Sequence, residues 1–193
     1  MTTPPAGTLS DVITYLEMTE RPARPPIPVP AAKLALIRAE HCSVSYYRYL
    51  YQAVGERWLW FERRVMSEAQ LAAAIQRPEV EISVLYVAGV PAGYYELDRS
   101  RSEEVELAYF GLVPDYIGRG FGAYLLRAAV DSAWQRGPKR VWVHTCTFDH
   151  PRALGAYQRA GFTVYKREPV LFDDPRLIGA LPRDLEHPLL PPL

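Results

Sequence analysis

The sequence lacks any stretch approaching the roughly 18 to 20 consecutive apolar residues needed to cross a bilayer. Its first residues, MTTPPAGTLSDV, have neither a basic start nor an apolar run, so no secretory leader is expected. Net charge is absent too: 22 Lys and Arg balance 22 Asp and Glu, and no long like-charged run occurs. Composition therefore gives no electrostatic reason to expect nucleic acid or an anionic membrane as partner, and a small molecule or a protein surface in the cytoplasm is the expectation. Cysteine is scarce. Cys42 and Cys146 form no C-x-x-C pair, and only His41 adjoins one of them, which excludes a disulfide framework and gives no metal site. No internal repeat is present.

What is present fits one domain: 193 residues, 49% of them apolar, suffice for a sizeable core. Of the 18 prolines, seven fall in residues 1–30 and six in 169–193. This places a compact domain at 31–168 between a proline-rich N-terminal flank, 1–30, and a proline-rich C-terminal tail, 169–193. Within the first flank, DVITYLEM (11–18) has the β-branched and aromatic content of a strand, and RPARPPIPVP after it predicts a stiff extended connector. That strand is free to join the main sheet or a neighbouring chain, and a homodimer is compatible with the second course.

The middle alternates in character. AKLALIRAE predicts a strand, Ser43 caps a helix to about Val54, and Ser67 with Gln70 forms a capping box for EAQLAAAIQR. Two strands meet at Gly89, a third ends at Pro114, and a glycine-rich turn enters a helix closed by Gly137 and Pro138. RVWVHTCTF then predicts a strand, Pro151 to Ala160 a short helix, and FTVYKRE a last strand. The fold class is α+β: a mixed, mostly antiparallel sheet of about six or seven strands with helices on both faces.

The turn PDYIGRGFGAYLL gathers three glycines where a helix must begin, although glycine is a poor helix former. Close approach of an anion to the backbone accounts for that. A P-loop needs Lys and Ser or Thr after its last glycine, and Ala, Tyr and Leu follow Gly122. A dinucleotide fingerprint, with the oxidoreductase chemistry it carries, is met by Gly118, Gly120 and Ala123, yet a proline stands at 138 where an acid is wanted.

A third reading accounts for more residues. The window Ile117-Gly118-Arg119-Gly120-Phe121-Gly122 resembles the pyrophosphate-binding motif of the GNAT superfamily of N-acetyltransferases, [QR]-x-x-G-x-[GA]. Downstream, HPRALGAYQRAGF resembles that family's second signature through Ala153, Tyr157, Gly161 and Phe162. Ile117 stands where the family usually has Gln or Arg, and His150 where it usually has Asn; the resemblance spans about residues 34–166.

The resemblance implies acetyl-CoA as co-substrate and an amine as acceptor, joined in a ternary complex without an acyl-enzyme. It implies that backbone groups of Leu112 and Val113 pair with the pantetheine arm, that the amides of 117–122 hold the pyrophosphate, that His150 replaces the Asn beside the arm, and that Tyr157 is the general acid. Glu106 has the spacing of the base in the histone-type members, and flanking Val105 and Leu107 predict burial and a raised pKa. Glu96 is the second candidate. Residues 46–61 carry seven aromatics, and two or three of Tyr46, Tyr47 and Tyr51 are expected to face the acceptor. His144, inside a strand, reads as structural, and no His and acid are placed to activate Cys146. A noncatalytic acyl-CoA-binding module is the alternative from another class.

Overall fold

The computed structural model describes residues 5–25 and 28–193; residues 26 and 27 of the proline-rich connector, and 1–4, lie outside the described residues. The chain forms β1 (Thr8–Met18), β2 (Leu34–Arg38), α1 (Val44–Gly55), α2 (Glu68–Ile75), β3 (Val80–Val87), β4 (Val90–Asp98), β5 (Glu104–Leu112), α3 (Phe121–Ala133), β6 (Arg140–Thr145), α4 (Ala153–Arg159) and β7 (Thr163–Asp173). The caps read from the sequence are formed: Ser43 Oγ accepts from the Tyr46 N–H at 3.3 Å, and Ser67 and Gln70 close a reciprocal capping box.

Seven strands make one sheet in the order β2-β3-β4-β5-β6-β1-β7. Every pairing is antiparallel except β5 with β6. The α+β expectation holds, and the dinucleotide reading loses its footing: the glycine turn does join the parallel pair β5 and β6, but every other pairing is antiparallel, so the doubly wound parallel sheet that reading needs is not built. β1 joins its own chain's sheet between β6 and β7, with Tyr15 opposite His144 and Asp11 opposite Val170. Leu16 is fully buried there, which is why the strand is held.

Helices α1 and α2 cover one face of the sheet over Tyr47, Leu50, Leu71, Val84 and Tyr94. Helices α3 and α4 cover the other over Leu16, Leu97, Leu125, Ala129 and Val143. Some boundaries differ from the sequence reading. β6 stops at Thr145, so Cys146 lies just past the strand, and α4 begins at Ala153 after a turn through Pro151. β7 runs on to Asp173 through Pro169, which an edge strand tolerates. The tail beyond it packs back: Asp174 and Arg176 form a buried ion pair at 2.6 Å, and Leu181 joins a third cluster with Leu9, Leu59 and Phe148.

The feature that positions the site is a parting of strands. β5 and β6 pair only through Glu104 with Arg140, Val105 with Val141 and Glu106 with Trp142. One step later β5 bulges: Leu107 faces Leu97 and Tyr109 faces Glu96, leaving Ala108 as the extra residue. A bulge bends its strand and increases local twist, so β5 swings away from β6 beyond Glu106.

Candidate active site

The gap between β5 and β6 opens into a cleft of about 780 Å³ lined from both faces of the sheet. On the α3 and α4 face, Leu112, Ile117, Gly118, Gly120 and Gly122 line it. Gly118 and Gly120 have φ of +83° and +85°, and a Cβ at either would meet no protein atom within 4 Å. Backbone conformation, not crowding, demands glycine there, and the space above the turn stays open. No side chain caps α3, so the first-turn N–H groups of Phe121, Gly122 and Ala123 remain the donors a helix start leaves unpaired. Phe121 turns its ring into the core, and the Arg119 guanidinium lies 5.3 Å from that ring. Neither side chain lines the cleft.

Of the two backbone positions expected to face the gap, one does. The Val113 N–H donates to the Ala92 carbonyl at 2.9 Å, which takes it up in the β4 ladder. Because strand backbone groups alternate in direction, those of Leu112 and Phe110 turn toward the gap instead. The strand edge left free at the gap is therefore that of Phe110 and Leu112, not Val113.

Tyr157 projects from α4 into the same cleft, only 6% exposed and packed edge-on against Phe110 at 6.0 Å. Burial, with the Asp149 carboxylate adding to it, pushes its hydroxyl well above the ordinary tyrosine range. It stays protonated at any working pH. His150 also lines the cleft; its Nδ1 accepts from the Arg152 N–H at 3.0 Å at the start of α4. Burial and the Arg152 charge lower its pKa, against the pull of the Asp149 carboxylate.

On the α1 face the carboxylates sort differently from expectation. Glu106 is half-buried, not enclosed, because Val105 and Leu107 point to the opposite face. Its Oε1 lies 3.6 Å from Nδ1 of His144, and it is His144 that lines the cleft. The neighbouring Glu106 carboxylate raises the His144 pKa, against burial and with help from Asp149 and Glu62. Sequence reasoning passed over His144, although the β6 alternation carried a signal: Val141 and Val143 turn inward, so Trp142 and His144 must turn outward. Glu96, the second carboxylate, is 1% exposed, accepts from the Tyr47 hydroxyl at 2.6 Å and pairs with Arg63 at 2.9 Å. It is locked in the core beneath the cleft.

The tyrosines of α1 likewise belong to the core. Tyr47 and Tyr51 are buried, and the Tyr46 hydroxyl is bonded to that of Tyr86 at 2.6 Å. The rings of the 46–61 stretch that line the cleft are Trp58, Trp60 and Phe61, after α1, and Tyr109, Phe148 and Phe172 join them on that wall. Cys146 lines the cleft as well, but burial and the carboxylates of Asp149 and Asp11 push its thiol far up, which leaves it a poor nucleophile.

Residues 47–162 match the acetyltransferase (GNAT) family. The chain belongs to that family. It is 27% identical over 110 residues to the mycothiol acetyltransferase of Corynebacterium efficiens, a stretch that is 57% of this chain and 36% of the relative. Among solved structures it is similar to a GCN5-related N-acetyltransferase of Sphaerobacter thermophilus, with a TM-score of 0.60 and 20% identity over 83% of this chain and 50% of the other. It is similar also to the ribosomal-protein-S18-alanine N-acetyltransferase of Escherichia coli, with a TM-score of 0.56 and 18% identity over 72% and 93%. The chain thus spans about a third of the curated relative's length and half that of the Sphaerobacter protein, and the structural likenesses show the shared fold.

As a member of the GNAT family the chain departs from pattern at two places, and the geometry accommodates both. Ile117 has its N–H bonded to the Pro114 carbonyl at 3.1 Å, so the donors that face the open turn are those after it. His150 lines the cleft while its Nδ1 accepts from the Arg152 N–H at the start of α4. Among the described residues no cluster of three or more His, Cys, Asp or Glu could hold a metal ion, and no helix is long and apolar enough to cross a membrane.

Proposed function

We propose that the protein transfers an acetyl group from acetyl-CoA directly to an amine bound with it in a ternary complex. The observation that carries this reading is the meeting of two half-sites in one gap. An uncapped helix start and a protonated, buried Tyr157 lie on one face of the sheet, and the His144–Glu106 pair lies on the other.

The residues fit the carrier. The open turn at Gly118 and Gly120 and the amides of 121–123 suit its pyrophosphate, and the free backbone edge at Phe110 and Leu112 suits the amides of its arm. Bound acetyl-CoA supplies the acyl group as an activated thioester. His144, oriented by Glu106, accepts a proton from the incoming ammonium, so the neutral nitrogen can form the N–C bond as the C–S bond breaks. Tyr157 donates its proton toward the departing sulfur. Glu106, expected as the base itself, acts here through His144.

Incubation of the protein with acetyl-CoA and an amine panel, followed by mass detection of acetylated amine, tests the reading. Tyr157→Phe should lower kcat about a hundredfold or more while the Kd for acetyl-CoA stays within about twofold. Tight carrier binding without turnover of any amine would instead support a noncatalytic acyl-CoA-binding module.

A further inference from the structure

The two faces of the cleft differ in charge. Four arginines line it, Arg24, Arg127, Arg152 and Arg159, and all belong to the α3 and α4 face; Arg24 reaches that face by donating to the Ala160 carbonyl at 2.6 Å. The α1 face contributes carboxylates and rings. Phe61 stacks on Phe172 at 5.7 Å, and Phe148 meets Phe172 edge-on at 6.0 Å. Trp60 packs against Tyr109 at 5.2 Å, and Trp58 lines the wall beside them. The nearest cation on this face, Arg63, is neutralised by Glu96 and does not line the cleft.

Hydrogen-bond accounting separates the carboxylates. Asp149 is taken up by Trp60 Nε1, Thr145 Oγ1 and the Cys146 N–H. Asp11 is 6% exposed and accepts from the Val12 and Thr147 amides through one oxygen, which makes it a fastener of the β1 end. Glu106 faces His144. Glu62 alone is exposed, held in place through one oxygen by the Tyr51 hydroxyl at 3.0 Å, and close enough to act on His144 electrostatically.

Resting on the acetyl-transfer reading, we infer that the acceptor is a primary amine carrying one positive charge on an apolar, aromatic-sized body. Its ammonium group sits between Glu62 and His144, and its body lies among Phe61, Phe148, Phe172 and Trp58. One available carboxylate suits one charge, and aromatic faces attract a cation while covering an apolar body. An amino acid brings its own carboxylate against Glu62 and Asp11, and a polyamine brings charges for which no further open carboxylate waits.

The test uses the full chain with acetyl-CoA and four amines: 2-phenylethylamine, phenylalanine, spermidine and a short peptide with a free N-terminus. The expected kcat/KM for 2-phenylethylamine exceeds that for phenylalanine by about 30-fold, since like charges set against each other cost several kcal/mol and each 1.4 kcal/mol is tenfold. Glu62→Gln, which keeps the Tyr51 hydrogen bond, should raise KM for 2-phenylethylamine about tenfold with kcat nearly unchanged, the size of one charge-assisted hydrogen bond. Preferential acetylation of phenylalanine, spermidine or the peptide overturns this inference and leaves acetyl transfer standing. If no amine is acetylated, the transfer reading fails. Titration of 2-phenylethylamine into the CoA-saturated protein then decides the site separately: quenching of tryptophan fluorescence that Glu62→Gln weakens upholds it, and no quenching overturns it.

Discussion

The two faces of the cleft are built on different scales of sequence. Everything that lines the cleft on the α3 and α4 side, from Leu107 to Ala160, comes from one continuous stretch, apart from Arg24. The opposite wall is drawn from five places: Asp11 and Ile13 on β1, Val54 and residues 58–62 in and after α1, Tyr109 on β5, His144 with Cys146, Phe148 and Asp149 at the end of β6, and Val170 with Phe172 on β7. Its tie, the Thr147 N–H donating to Asp11 at 2.8 Å, joins residues 136 apart in the chain. A phosphate site made of main-chain donors needs local conformation, which short motifs can encode. A pocket for one particular acceptor needs side chains gathered by the topology of the sheet, and different gatherings on one fold serve different acceptors.

The two walls meet where His144 lines the cleft from one face and Tyr157 from the other, the proposed base and acid. His144→Gln should lower kcat/KM about a hundredfold without altering acetyl-CoA affinity, the usual reach of a positioned base. In the parent the rate should rise with pH along a limb lying above 6.5, the ordinary histidine value, because Glu106 favours the imidazolium and the ring must lose that proton to act. Glu106→Gln removes the favouring partner, so the limb should move to lower pH with a smaller loss of plateau rate. A limb that stays in place in both variants would assign it to another group and leave Glu106 and His144 as packing.

How much of this was legible follows the same division. The caps at Ser43 and Ser67, the left-handed glycines and the order of strands and helices are set by neighbours a few residues apart, and the chain shows them plainly. Tyr157 and the glycine turn were legible for the same reason. The role of β1 was not, because DVITYLEM has strand character but nothing in it specifies whether β6 and β7 or another chain will flank it. Glu106 was expected to be buried because its neighbours are apolar, yet strand alternation sends those neighbours to the other face. The tyrosines of α1 misled in the opposite sense: Tyr47 and Tyr51 lie on the helix stripe that meets the sheet, and their hydroxyls find Glu96 and Glu62 there.

A smaller effect separates local conformation from ligand contact on the carrier side. Gly120 and Gly137 flank α3 at its two ends, with φ of +85° and +63°, and a Cβ at either meets no protein atom within 4 Å. Alanine at each should therefore destabilise the fold alike, by about 1 to 2 kcal/mol for a left-handed non-glycine residue. Only Gly120→Ala places its methyl where the carrier's phosphates approach, so it alone should weaken acetyl-CoA, by about tenfold for one displaced charge-assisted contact. Equal binding by both variants would mean that the turn shapes the helix and grips nothing.

The smallest effect concerns Arg24, the one carrier-side cation outside the 47–162 stretch shared with the family. Its Nη1 holds Ala160, but Nε and Nη2 are buried with no partner among the described residues, and the Arg127 guanidinium beside it bonds the carbonyls of Arg24 and Pro25. Burial and the like charge of Arg127 both lower its pKa, against the pull of the Asp131 carboxylate, and among the described residues Arg24 forms no ion pair. Buried unpaired donors cost about 1 to 3 kcal/mol, so Arg24→Gln should leave Tm within a few degrees of the parent or above it. The same substitution removes a positive charge from a groove meant for a polyanion and should weaken acetyl-CoA about threefold at low salt, the difference shrinking as ionic strength rises. If affinity is unchanged and Tm falls, Arg24 is a strut between β1 and α4, and the carrier face is then as local in origin as its motifs make it look.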